Sequence, residues 1–477
     1  MVEMENALTH LVYDNSPVWL QNIFVSVEGL QSYRLRYNKI FTRAVGFLER
    51  SSKFSWAEME EYRGERLRSL VKHAYETVPY YNELFSTLKL RPEDIRCPED
   101  LKLLPILTKE TVVANKPKVL STAVPQKELV PVHTSGTTGT ALQFWWTREG
   151  TAWEFAFVWA RRRAGVSLGE PFATFNGRSV VPIGQSSPPF WRYNAILRQT
   201  LFSIYHMNER TLDSYIVRLR KGDFRYYVGY PSAIYTVASY ALEHNLKLAS
   251  PPIKVFTSSE SLTDWQRDTI ECAFETKVDD SYTNGEQSVL LTQCDHGNYH
   301  VNYEYSVVEF EPMEEDQETV TAKIIGTGFL NYGMPFIRYD TGDCVEISKI
   351  EKSCPCGRFG PIIKKIHGRQ EDLVITPEGN IVGRLDHIFK DMVLIKESQI
   401  IQYEDGSLEV LIVPREGYSL QTEEQLLHEF RRRLGNTIPI KIRHVDSIPR
   451  GASGKFRAVI SHYRPPRRWL RTAHEQK

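Results

Sequence analysis

Between residues 226 and 275 the chain reads YYVGY, SAIYTVASYALEHN, IKVFTSS and DWQRDTIECAFE, short apolar runs alternating with stretches of helical period. That alternation constrains the fold more than any other feature. Parallel strands need a crossover of a dozen or more residues, and a helix is the usual way to make one. The same style, including LDSYIVRLRKG, runs from about residue 100 to 365 and predicts α/β layers around a mainly parallel sheet.

The flanks differ. Residues 1 to about 95 read as mostly helical. Ser55 is a first-turn signal for a helix in which Met59, Tyr62, Leu67, Leu70, Val71 and Ala74 recur at helical spacing before Pro79 ends it. Beyond about 368, EDLVIT and GNIV predict a hairpin around Pro377-Glu378-Gly379, followed by a helix around LDHIFKDM. SQIIQYEDGSLEVLIVP predicts a second hairpin turning at Asp405-Gly406. TEEQLLHEFRRRLG predicts a helix with Thr422 and Gln425 as a capping box, a stripe of Leu427, Phe430 and Leu434, and Gly435 as its stop. A small α+β unit fits this region. The tail RPPRRWLRTAHEQK is basic and reads as a solvated end.

A chain of 477 residues is too long for one ordinary core, so two to four folding units are expected. Lys plus Arg and Asp plus Glu both total 59, which gives no electrostatic sign of a nucleic-acid partner. No apolar run approaches the roughly 20 residues of a transmembrane span, and MVEMENALTH lacks the basic start and apolar middle of a signal peptide. A cytoplasmic location is the expectation. Six cysteines in so long a chain do not read as a disulfide framework.

The run HTSGTTGT at 133 to 140 places Ser135, Gly136, Thr137, Thr138 and Gly139 together. Glycines let successive backbone N–H groups converge and the hydroxyls add donors, which suits phosphate oxygens; composition alone equally suits an ordinary turn. No Lys follows Gly139, so this is not a Walker loop.

The order TSGTTG, DDSYTNGEQ at 279 to 287, FIRYDTGD at 336 to 343, IHGRQEDLVI at 366 to 375 and IPRGASGKFR at 448 to 457 resembles the adenylate-forming acyl-CoA ligase superfamily. Within it, the chain is most similar to the phenylacetate–CoA ligase branch, including the CapK type. VPYYNELF, VGYPSA and FTSSESL fit the same branch. The resemblance implies an α/β fold with a large multi-layer N-terminal adenylate-forming domain and a small mobile α+β C-terminal domain. Its parts would be 1–95 and 96–368 in the large domain and 369–477 as the lid.

What the resemblance implies chemically is attack of a carboxylic acid on ATP, giving an acyl-adenylate and pyrophosphate. Acyl transfer then follows to coenzyme A, or to another thiol or an amine. Such a step needs positioned reactants and offset phosphate charge more than covalent help from the protein. By the match, Ser135, Thr137 and Thr138, with Gly136 and Gly139, would hold phosphates. Tyr282 would stack on adenine and Asp280 would meet its amino group. Glu286 would position Mg²⁺, a hard ion suited to oxygen ligands. Asp343 would accept from the ribose hydroxyls and Arg369 would lie near ribose and phosphates. Ser259 and Glu260 would belong to the same binding region. Lys455 would bridge the substrate carboxylate and the α-phosphate, and Glu371, with Asp372 as the alternative, would be the pivot of the lid. Three departures bear on rate and substrate fit. Gly285 removes a hydroxyl, Thr283 replaces a usual Gly, and Ala141 stands where Pro is common.

Cys294-Asp-His296-Gly-Asn-Tyr-His300 and Cys354-Pro-Cys356-Gly form a second constellation. Thiolates and imidazole suit tetrahedral Zn²⁺, although C-x-C is not the common knuckle spacing. The resemblance implies a structural zinc on Cys294, His300, Cys354 and Cys356, with His296 competing for the histidine position and buried free thiols as the alternative. Phe144, Trp145, Trp146, Trp153, Phe155 and Tyr235 would suit a flat acid or simply fill the core, the latter for most of them. A non-catalytic nucleotide-binding relative is the other functional class. The presence of Glu286, Asp343 and Lys455 argues against it.

Overall fold

A computed structural model describes residues 12–133, 143–162, 165–248, 250–351, 353–367, 374–382, 385–389, 392, 394–448 and 458–463. Helices Val18–Arg36, Lys39–Ser51, Trp56–Thr77 and Pro79–Leu88 make up most of the N-terminal part. Ser55 accepts from the Glu58 amide at 3.3 Å while Glu58 accepts from the Ser55 amide at 2.7 Å, a complete capping box. Met59, Leu67, Leu70, Val71 and Ala74 form the buried face. Pro79 both stops this helix and begins the next at its first turn, where a missing N–H costs nothing.

A 12-stranded sheet forms the body of the protein. Strands Gln199–Ser203, Phe172–Asn176, Tyr226–Gly229, Lys254–Ser258 and Lys277–Thr283 lie side by side in parallel. Helices Leu212–Lys221, Pro231–Glu243 and Asp264–Phe274 alternate with the later strands along the chain. The expectation of a mainly parallel sheet needs correction. Trp191–Asn194 pairs antiparallel at one edge, and every pairing beyond Lys277–Thr283 is antiparallel, through Leu290–Gln293, Tyr299–Val301, Ile363–His367, Tyr339–Ser348, Thr319–Gly328 and Ser306–Glu315. From Thr283 to His367 no described residue between consecutive strands is helical, so no helix crosses over and the chain turns back on itself.

The C-terminal sheet has four strands in the order Ile440–His444, Leu408–Pro414, Ile395–Gln402, Val459–Ser461. The two central strands pair antiparallel, and Gly406, at φ +84°, completes the Asp405-Gly406 turn between them. The hairpin Val374–Ile375 with Ile381–Val382 forms as expected. Leu385–Phe389 is a 3₁₀ turn rather than an α-helix. The following helix spans Leu420–Leu434 and is capped by Ser419, whose hydroxyl accepts from the Thr422 amide at 3.4 Å. Thr422 therefore sits inside the first turn, and the buried stripe is Leu426, Phe430 and Leu434, not Leu427. Apolar side chains of this unit are continuous with those under the parallel strands, and Asn208 donates to Asn380 across the junction at 2.6 Å.

Leu426 is fully buried whereas Leu427 is only half-buried. Truncating Leu426 to Ala should cost about 2–5 kcal/mol, and Leu427→Ala distinctly less, in urea unfolding followed by fluorescence. The reverse ranking would contradict this helix phase.

Candidate functional site

A cleft of about 1400 Å³ runs along the strand Lys277–Thr283, from Lys254 and Lys277 at the starts of two parallel strands to Ser259–Leu262 and Asn284–Glu286 beyond their C-terminal ends. Crevices outside the carboxyl ends of such strands are where open α/β sheets bind ligands. After Ser258 the chain turns through Ser259 at φ +73°, and Glu260 accepts from the Ser232 amide at 3.1 Å, in the first turn of helix Pro231–Glu243. A carboxylate is well placed at a helix N-terminus. Ser259 and Glu260 both line the cleft.

Along the strand Lys277–Thr283, side chains alternate between faces, so Asp280 and Tyr282 share one face, and both line the cleft. Asp280 is 5 % exposed; its oxygens accept from the Thr257 hydroxyl and the Tyr299 hydroxyl, both at 2.6 Å. Burial and the Asp280 carboxylate hold the Tyr299 hydroxyl well above the usual tyrosine range, so it stays a donor. Tyr282 donates to Asp343 at 2.8 Å; burial first, and then the Asp343 carboxylate, push its own hydroxyl up in the same way.

The turn after this strand presents Glu286. Asn284 stabilises it by accepting from the amides of Ser288 at 3.0 Å and Val289 at 3.2 Å, and Gln287 takes φ +56°. Trp146 donates its indole N–H to the Gly285 carbonyl at 2.7 Å. Glu286 is buried and accepts from the Tyr339 hydroxyl at 2.8 Å. Two ties therefore cross between the motifs: Tyr282 of one holds Asp343 of the other, and Tyr339 of that one holds Glu286 of the first. The result is three carboxylates, Asp280, Glu286 and Asp343, fixed around one opening by hydroxyl donors. Such a site suits ligand hydroxyls, amino groups and a hard cation.

The cysteine constellation lies beside this cleft. Cys294, His300, Cys354 and Cys356 present ligand atoms all within 4.8 Å of one another. The Cys294 and Cys354 sulfurs are 3.7 Å apart, and Cys356 Sγ is 3.3 Å from His300 Nε2. A tetrahedron with Zn–S bonds of about 2.3 Å places its sulfurs about 3.8 Å apart, so the spacing and the donor set both fit a four-coordinate thiophilic ion. Burial, with help from the Arg358 guanidinium, pushes the His300 imidazole down to about 4, which keeps it in the neutral form a ligand needs. His296 lies outside this group and lines the cleft instead.

Ser135, Gly136, Thr137, Thr138, Gly139, Arg369, Glu371, Asp372 and Lys455 lie outside the described residues. The strands on either side of the first five, Leu129–His133 and Gln143–Thr147, pair antiparallel with His133 opposite Gln143. Phe144 is core, packed edge-on against Phe336 at 5.8 Å, and Trp153 and Phe155 pack among the aromatics of the first helices. Sequence reasoning missed Tyr299, Tyr339, Thr257 and Trp146 as partners of site residues, and Lys109 and Trp265 as cleft-lining ones. Tyr339 and Thr257 lie within the FIRYDTGD and FTSSESL runs, Tyr299 within the Cys294–His300 stretch and Trp146 among the named aromatics, yet nothing local in those runs marks them as holders of site residues.

Residues 374–462 match the CapK C-terminal domain. Protein CapK of Staphylococcus aureus is 27 % identical over 465 residues, covering 95 % of this chain and all of that protein. The phenylacetate–coenzyme A ligase of Pseudomonas putida is 25 % identical over 399 residues, covering 79 % of this chain and 85 % of that one. Among solved structures, a 2-hydroxyisobutyryl-CoA ligase in complex with 2-HIB-AMP and CoA in the thioesterification state superposes with a TM-score of 0.54 at 20 % identity, over 86 % of this chain and 91 % of that chain. At that identity the superposition speaks for the fold.

Replacing Tyr339 with Phe leaves a buried Glu286 oxygen without its hydroxyl donor. The expected cost is about 1–3 kcal/mol of stability, measured as a shift in the urea midpoint. An unchanged midpoint would show that the Tyr339–Glu286 bond contributes nothing.

Proposed function

We propose that this chain, homologous to CapK and to the phenylacetate–coenzyme A ligases, activates a carboxylic acid with ATP to an acyl-adenylate and pyrophosphate, then transfers the acyl group to coenzyme A. The observation that carries this reading is the pair of tyrosine–carboxylate ties joining Tyr282 to Asp343 and Tyr339 to Glu286 at one cleft. Both acids are held in fixed directions before any ligand arrives, so little reorganisation is needed on binding.

In this reading Asp343 accepts from the ribose hydroxyls, because a carboxylate can take two donors beside the one from Tyr282. The Tyr282 ring faces the adenine and Asp280 meets the amino group of the base. Glu286 holds Mg²⁺, which offsets phosphate charge when bound. Ser135, Gly136, Thr137, Thr138 and Gly139 cradle the phosphates. Ser259 and Glu260 shape the wall between nucleotide and acid, and Arg369 lies near ribose and phosphates. Lys455 places a cation between the acid carboxylate and the α-phosphate as charge builds there.

The domain limits that go with this are 1–95 and 96–368 in the large domain and 369–477 in the lid, with Glu371 or Asp372 at the pivot. The group Cys294, His300, Cys354 and Cys356 holds a structural zinc, since four protein ligands leave no open position. The acid is an aryl or related acid. None of the described helices is long and apolar enough to cross a membrane, and a cytoplasmic site of action goes with the nucleotide and coenzyme A substrates. A second reading follows from the CapK match along almost the whole chain: the acceptor is an amine or a carrier protein, in polysaccharide or secondary-metabolite modification.

Two measurements test this. Enzyme, ATP, Mg²⁺ and hydroxylamine, run against a panel of aryl, short aliphatic, amino and sugar acids, should yield a hydroxamate with one acid class. Lys455→Ala should remove at least nine-tenths of the signal. Silence across the panel, from protein that binds ATP, would favour a non-catalytic nucleotide-binding relative. Metal analysis of protein purified without added zinc should give about one equivalent, and less than half would overturn the zinc assignment.

A further inference from the structure

The cysteine–histidine group and the cleft are built on one hairpin. Strands Leu290–Gln293 and Tyr299–Val301 pair antiparallel with Tyr299 opposite Gln293. Their turn is closed by the Cys294 amide donating to Asn298 at 2.9 Å and the Gly297 amide donating to Cys294 at 2.9 Å. Cys294 and His300 are therefore each next in sequence to one member of this pair. Consecutive residues of a strand point to opposite faces. The hairpin thus turns His300 towards the metal-ligand group while its neighbour Tyr299 reaches the other way.

Both members of the pair end on Asp280. Tyr299 donates to one carboxylate oxygen at 2.6 Å, and the Gln293 side-chain oxygen accepts from the Asp280 amide at 3.3 Å. The Gln293 amide in turn donates to the Gly297 carbonyl, inside the turn between the ligands, at 2.6 Å. The other two ligands, Cys354 and Cys356, precede the strand Ile363–His367. That strand pairs with Tyr299–Val301 on one side and with Tyr339–Ser348, which carries Asp343, on the other. The register to Tyr299–Val301 consists of a single residue pair, Tyr299 with Ile363, so the backbone joins the two segments weakly there. An ion held by two side chains from each segment would add to the Arg358–Thr292 bond at 2.9 Å and the Lys364–Asn298 bond at 3.2 Å that join them.

We propose that the metal-ligand group sets the affinity and base preference of the nucleotide site, with Tyr299 and Gln293 as the positioning residues that carry its effect to Asp280. The proposal rests on the reading of the cleft as an adenine-nucleotide site. Filling the group locks the hairpin, the hairpin fixes Tyr299 and Gln293, and these aim the Asp280 carboxylate. Loss of the ion leaves the large sheet standing but loosens the hold of Tyr299 on the Asp280 carboxylate. A hydrogen bond to a charged group is worth about tenfold or more in an equilibrium constant.

The test is equilibrium binding to the full-length protein by calorimetry, comparing ATP with inosine triphosphate, which lacks the 6-amino group. The unaltered protein should prefer ATP. Tyr299→Phe, with its metal content unchanged, should bind ATP about tenfold more weakly and inosine triphosphate as before, so that the preference disappears. A purely structural role would weaken both nucleotides together, and an intact preference in Tyr299→Phe would overturn the proposal. Should that variant fail to fold, chelator titration of the unaltered protein decides: ATP affinity must fall as the ion leaves, and constant affinity in the metal-free protein sinks the idea. Failure of the unaltered protein to bind ATP at all would instead overturn the nucleotide reading beneath it.

Discussion

The strand Lys277–Thr283 bonds in parallel to Lys254–Ser258 along one edge and antiparallel to Leu290–Gln293 along the other, and the site depends on that change of direction. On the parallel side, strand ends and helix starts open a crevice, because each chain must leave the sheet to cross over. On the antiparallel side the chain turns straight back, so Glu286 in the turn and Tyr299 one strand further stay close to Asp280 and Tyr282. A sheet parallel throughout would have sent a helix into that space.

Carboxylates gathered around one opening repel one another and are costly to bury without donors. Among the described residues, neutral hydroxyls supply a donor to each of the three acids. Tyr282, Tyr299 and Tyr339 each give one short hydrogen bond to Asp343, Asp280 and Glu286 respectively. A hydroxyl satisfies one lone pair and leaves the negative charge in place for a ligand, whereas a buried arginine would neutralise it. The shared face of the cleft therefore remains anionic where a cation, an amino group or sugar hydroxyls would be welcome.

Local signals were legible in the sequence wherever the physics is local. The helix start at Ser55, the Asp405-Gly406 turn and the helices alternating with parallel strands follow from residue type and spacing. The cap at Ser419 was misread because Thr422 offered the same chemistry three residues later, and the error rotated the expected stripe from Leu426 to Leu427. The switch to antiparallel pairing was missed because apolar runs look alike in either direction. At the site, Asp280, Tyr282, Glu286 and Asp343 could be picked out from their motifs. Their holders could not, since Tyr282 and Asp343 lie 61 residues apart and no periodicity relates them. Spacing alone gave the metal ligands as two clusters and the family resemblance joined them into one set; in the fold, the pairing of strand Ile363–His367 with Tyr299–Val301 helps bring them together.

The exchange of tyrosines between the two motifs also has an evolutionary side. Tyr282 serves the acid of the FIRYDTGD run and Tyr339 serves the acid of the SYTNGEQ run, so neither run carries its own support. A substitution in one is felt as a lost donor in the other, and drift in either is filtered through both. The two segments are thus coupled energetically, although the chain keeps them far apart. A descendant that abandoned the chemistry would be expected to lose them together, leaving paired changes rather than a single scar.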